Sequence, residues 1–125
     1  MSRATILVVD DEIDILEMIE VGLAAQGYAV VLANSGEDAM AVFETRQADL
    51  VICDIKMPGV DGIATIRRLR ELDPQLPAIV LTGYLSPHTL DECNELGAVQ
   101  LIRKPFVFSE LSSLVETSLR RRPVT

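Results

Sequence analysis

Histidine occurs once in these 125 residues, cysteine twice and tryptophan never, and the 11 basic residues are outnumbered by 19 acidic ones. Each scarcity removes a class of function. His88 stands in the first turn of an expected helix with no second histidine or cysteine pair beside it, which argues against zinc. Cys53, inside an apolar run, and Cys93, in an expected helix, read as reduced core or surface residues rather than a disulfide. No apolar stretch approaches the roughly 20 residues that span a bilayer. The opening "MSRATILVVDDE" lacks a signal peptide's long apolar region and cleavage site. No membrane association is expected, and the chain is placed in the cytoplasm. A formal charge of -8 opposes direct contact with nucleic-acid phosphates and suits cations or a basic partner. Repeats and low-complexity segments are missing too, and nothing reads as a linker before the tail "RRRPVT".

What is present is the material of one globular domain: 49% hydrophobic and 24% charged residues. It is expected over residues 1–122, with 123–125 a C-terminal tail or the start of a linker. Five short apolar runs recur, "TILVV", "VVL", "LVIC", "AIVL" and "VQLI". They are β-branched and nearly uninterrupted, the pattern of strands covered on both faces of a parallel sheet. Helical spacing fills the gaps. Residues 13 to 26 repeat apolar positions at Ile15, Leu16, Ile19 and Leu23, and Gly27 stops them. Ser35 and Ser86 read as N-caps, Pro87 as a first helical residue and Gly97 as a terminator. Ile63, Ile66 and Leu69 share a face over 62 to 72. The last stripe runs from about Ser109 through Leu119. Strands alternating with helices predict an α/β wind with helices on both faces.

The polar residues gather at one end of that wind. Asp10 and Asp11 close the first run, Asp54 the third and Thr82 the fourth, while Lys104 lies just beyond the fifth. In a parallel sheet these ends share the edge where open α/β folds bind ligands. The second run contributes no charged group, so strands 1 and 3 are expected to flank the site, giving the order 2-1-3-4-5. Three converging acids suit a hard cation such as Mg²⁺. A carboxylate ending a buried strand is costly unless something relieves its charge. Asp54 therefore reads as a nucleophile that accepts a phosphoryl group, with Thr82 and Lys104 placed to contact it.

"VVDDE", "DIKMPGVDG", "LTG" and "KPF" stand in an order and at a spacing that resemble the receiver domains of two-component response regulators, over nearly the whole chain. The resemblance implies a flavodoxin-like (βα)5 fold with a five-stranded parallel sheet, an order for which a member of this family is already a standard example. It also implies that Asp54 takes its phosphoryl group from a histidine kinase or a histidine phosphotransfer protein. Mg²⁺ or Mn²⁺ would be held by Asp10, Asp11, Asp54 and the backbone carbonyl of Lys56, with Asp10 acting mainly through water. Thr82 and Lys104 would contact phosphoryl oxygens, and the Lys104–Pro105 bond would be cis. Phosphorylation would change the surface of the fourth helix, fifth strand and last helix, which serves a downstream protein or an output domain. Such a domain is a monomer or a phosphorylation-linked homodimer, and a signalling domain rather than an enzyme. No output domain is recognisable after the last helix, so the expectation is a single-domain regulator or a receiver cut from a longer protein.

Blander readings exist for each part. Asp10 and Asp11 would serve as caps of the first helix; Arg67, Arg68 and Arg70 read as a solvated helix face; Arg120 to Arg122 suit a helix C-terminus. Pro58, Gly59 and Gly62 shape the loop behind Asp54. Two positions depart from the family pattern. Leu101 stands where an aromatic switch residue is often found, and Tyr84, two residues after Thr82, is the candidate to replace it. Gly83 leaves room for movement, and Lys56 flanks the pocket. Among rivals, an aspartyl phosphatase would want an acid where Lys56 stands, and a flavodoxin would find "DDEID" repelling its FMN phosphate. A pseudo-receiver docking without phosphorylation would have lost one of Asp54, Thr82 or Lys104.

Overall fold

The computed structural model describes residues 3–57, 59, 61–84, 86–97 and 99–121. Pro58, Arg122 and the tail at 123–125 lie outside the described residues. Each apolar run becomes a strand: β1 (Thr5–Val9), β2 (Ala29–Ala33), β3 (Leu50–Asp54), β4 (Ala78–Thr82) and β5 (Val99–Arg103). All pair in parallel in the order β2-β1-β3-β4-β5. The runs lack alternation because both faces are covered. Leu7, Val9, Val51 and Cys53 point into one apolar layer, and Ile6, Val8, Leu50 and Ile52 into the other.

Helices α1 (Ile13–Ala25) and α5 (Phe108–Arg121) cover the second layer; α2 (Gly36–Thr45), α3 (Gly62–Leu72) and α4 (Pro87–Leu96) cover the first. The expected caps act as caps. Ser35 Oγ accepts from Asp38 N–H at 3.0 Å, and Ser86 Oγ from Thr89 N–H at 3.1 Å. Asp61 caps α3 by accepting from Ala64 N–H at 2.8 Å. The helix-cap reading of Asp10 and Asp11 is corrected. Glu12 holds the N-cap position of α1 without a side-chain cap bond, and Asp10 Oδ1 instead accepts from Glu12 N–H at 2.9 Å.

The solvated-face reading of the α3 arginines also needs correction at one position. Arg67 and Arg68 are exposed, with Arg67 3.9 Å from Glu95, but Arg70 is half-buried and hydrogen-bonded to backbone carbonyls. Both cysteines are free and buried. Burial, reinforced by the Asp54 charge, pushes the Cys53 thiol up, so it remains a protonated core residue. His88 is exposed and lies 3.4 Å from Glu92, one helical turn on. No described helix is long and apolar enough to cross a membrane.

Candidate functional site

The parallel register carries the polar residues to the C-terminal edge of the sheet, at the switch point between β1 and β3. Asp54 ends β3 and Thr82 ends β4, while Asp10 and Lys104 each follow directly on a strand. Asp10 has no exposed surface and Asp54 keeps 5% of its own. Lys104 Nζ lies 3.0 Å from Asp10 Oδ2, 3.2 Å from Glu12 Oε1 and 3.3 Å from Asp54 Oδ2. One ammonium therefore serves three carboxylates. Burial alone would lower the lysine's pKa, but the Asp10 hydrogen bond and the surrounding negative charge raise it above its ordinary value. It stays charged at any working pH.

Above the buried pair opens a cleft of about 450 Å³. Asp54, Lys104, Thr82, Asp11 and Glu12 line it, together with Lys56, Gly83 and Tyr84. Asp10 lies beneath. Leu101 is half-buried on β5 and packs against the α2–α3–α4 layer, outside the cleft lining. The Lys104–Pro105 bond is cis. The Thr82 hydroxyl is engaged locally: it donates to Tyr84 O at 2.6 Å and accepts from Tyr84 N–H at 3.2 Å. Tyr84 is 64% exposed, with Lys56 Nζ 6.0 Å from its ring centroid, within reach of a cation–π contact. A Cβ built at Gly83 would meet nothing within 4 Å.

Glu12 is the site residue that sequence reasoning missed. A third acid stood in plain view in "VVDDE", but an acid at the start of a helix is ordinarily favourable for the dipole alone. Oxygen atoms of Asp10, Glu12 and Asp54 lie within 4.8 Å of one another. The donor set is all carboxylate, which suits a hard divalent cation, and the Lys104 ammonium already sits among these oxygens as a resident positive charge.

Burial and then the Asp10 charge push the Asp54 carboxyl up from 3.8 to about 6, with Lys104 pulling the other way. Its folded form thus binds a proton more tightly than its unfolded form, and ionisation destabilises the fold. The penalty builds as pH rises from about 4 to about 6 and is fully present above. Without divalent cation, Asp54→Asn is expected to stabilise the protein at pH 7 by about 1–3 kcal/mol. The gain should shrink on acidification to pH 4.5. Urea unfolding at the two pH values checks it, and a gain independent of pH would contradict a penalty that arises from ionising Asp54.

Residues 6–116 match the response regulator receiver domain family. The chain belongs to that family, the receivers of two-component signalling. It is 40% identical over 114 residues to the transcriptional regulatory protein ZraR of Escherichia coli O157:H7, a match covering 91% of this chain and 26% of that protein. The transcriptional regulatory protein PrrA of Mycobacterium leprae is 36% identical over 125 residues, all of this chain and 54% of the relative. This receiver thus spans about a quarter of ZraR and about half of PrrA. Among solved structures, a CheY-like receiver domain protein from Methanospirillum hungatei superposes with a TM-score of 0.92 at 29% identity, covering 97% of each chain. Chemotaxis protein CheY4 of Vibrio cholerae gives 0.89 at 30% identity, over 94% of this chain and 100% of that one.

Proposed function

We propose that this receiver accepts a phosphoryl group on Asp54 from the phosphohistidine of a sensor histidine kinase or phosphotransfer protein, in a reaction that requires a divalent cation. The observation that carries this reading is the Asp54 carboxylate itself. It is nearly buried, 3.3 Å from a lysine that stays charged, and it opens on a cleft of adequate size. In the transfer an Asp54 oxygen attacks phosphorus, the P–N bond to the donor imidazole breaks, and an acyl phosphate forms. Lys104 follows the charge onto the phosphoryl oxygens. Asp10, Asp11, Asp54 and the Lys56 carbonyl would hold Mg²⁺ or Mn²⁺, and Glu12 is a further oxygen donor at the same place. The bound cation would offset negative charge on the carboxylates and on the transferred group.

Thr82 supplies the link to output. To contact a phosphoryl oxygen its hydroxyl must release Tyr84 O, to which it now donates. The segment from Gly83 onward, freed of that bond, would shift toward α4, β5 and α5, the surface offered to a downstream protein or output domain. Incubation with acetyl phosphate and Mg²⁺ should add one phosphoryl group by intact mass, and none to Asp54→Asn. Labelling of Asp54→Asn at the wild-type level would sink the proposal.

Tyr84 lines the cleft and is largely exposed, so its ring would shield the acyl phosphate from attacking water. Tyr84→Ala is expected to shorten the lifetime of the phosphorylated form and to weaken the phosphorylation-induced NMR shifts up to Leu101. A decay rate equal to wild type, with undiminished shifts, would make Tyr84 a bystander.

A further inference from the structure

Arg70 does work that its position on an apparently exposed helix face conceals. Its Nε donates to Leu76 O at 3.0 Å, and a terminal nitrogen donates to Leu96 O at 2.7 Å and to Gly97 O at 2.8 Å. Leu76 is fully buried just ahead of β4, so the guanidinium is fixed to the core on one side. On the other it satisfies carbonyls at the C-terminal end of α4, which a helix leaves without internal partners. A cation there also suits the dipole, and α4 has no basic residue of its own in its last turn.

The rest of α4 is held lightly. Cys93 is its single buried residue among those described, whereas α3 buries Gly62, Ile63, Thr65, Ile66 and Leu69. At its N-terminal end α4 follows the Thr82–Tyr84 segment, where Gly83 has open space around it. We infer that Arg70 is a positioning residue for α4. It pins the C-terminal end of that helix to α3 and to the entry of β4, so that α4 opens and moves from its N-terminal end. The direction of signalling this implies, inward from Thr82 and pivoting about Gly97, rests on the phosphoryl-acceptor reading; the clamp itself does not.

Amide hydrogen exchange on the full chain, without phosphodonor, tests the clamp. Protection in wild type is expected to be about tenfold lower at Leu90 and Asp91 than at Asn94 to Leu96. Arg70→Met, which keeps the side-chain stem and removes the donors, should lower protection at Asn94 to Leu96 by about tenfold and leave the α1 and β1 amides unchanged. Arg70→Lys keeps the charge and one donor group, and should restore part of the loss; it also carries the comparison if Arg70→Met fails to fold. An equal loss across α1 and β1, or no gradient in wild type, would overturn the inference. Adding acetyl phosphate and Mg²⁺ to the same samples separates the two readings. An intact gradient without phosphorylation overturns the phosphoryl reading and supports the clamp, while normal phosphorylation without a gradient overturns the clamp.

Discussion

Lys104→Met is expected to cost about 3–5 kcal/mol of unfolding free energy at pH 7, the scale seen when one partner of a buried ion pair is removed. The reason is what the lysine leaves behind. Asp10 has no exposed surface, and Asp54 keeps only 5%. Both would face each other and Glu12 without the one cation that pairs with them among the described residues. Methionine fills much the same volume, so packing contributes little to the loss. The deficit should shrink as pH falls toward 4, because protonation of Asp54 removes part of the uncompensated charge. Mg²⁺ should also recover part of it, by binding the native state. Urea unfolding across pH 4 to 7 reads all of this. A loss below about 1 kcal/mol would mean that the three carboxylates are relieved by water instead, and that the ammonium is a surface charge of small worth.

Gly62→Ala is expected to be as damaging for a purely steric reason. Gly62 begins α3 and donates its N–H to Ile55 O at 2.9 Å, folding the helix start back over the end of β3. A Cβ there would collide with the Asp54 carbonyl oxygen and stand 2.9 Å from Ile55 Cα. Those neighbours are backbone atoms at and just past the end of the central strand, with no rotamer through which to escape. We expect a loss of about 3 kcal/mol and a displaced Asp54, seen as reduced phosphoryl incorporation in whatever fraction folds. Gly83→Ala is the control. Its Cβ meets open space, so its stability should stay within about 0.5 kcal/mol of wild type. Near-neutral behaviour of Gly62→Ala would show that the loop after Asp54 yields easily, and that it does not fix the carboxylate.

The contrast between these glycines marks where sequence patterns inform and where they stop. Strands were legible because burial on both faces forces continuous apolar runs, and β1, β3, β4 and β5 match their runs to within one residue. Helix starts at Ser35 and Ser86 were legible because capping is local chemistry. The strand order followed from asking which strand ends carry charge, and the sheet has that order. Glu12 and Arg70 were not legible. Each makes its decisive contacts with residues distant in sequence: Glu12 with Lys104, and Arg70 with the carbonyls of Leu96 and Gly97. At the level of sequence an acid opening a helix and an arginine among other arginines look like ordinary surface. The steric role of Gly62 was similarly hidden. A glycine in "PGVDG" announces a turn, but only the fold shows a backbone pressed against Asp54.

Hydride reduction of the phosphorylated protein tests the central claim most directly. An acyl phosphate on aspartate is reduced to homoserine, a permanent mark at the acceptor position that peptide mass mapping locates. After acetyl phosphate, Mg²⁺ and borohydride, homoserine is expected at position 54 alone, and none when the cation is chelated. Homoserine at Asp10 or Asp11, or marking at position 54 that is indifferent to chelation, would contradict it.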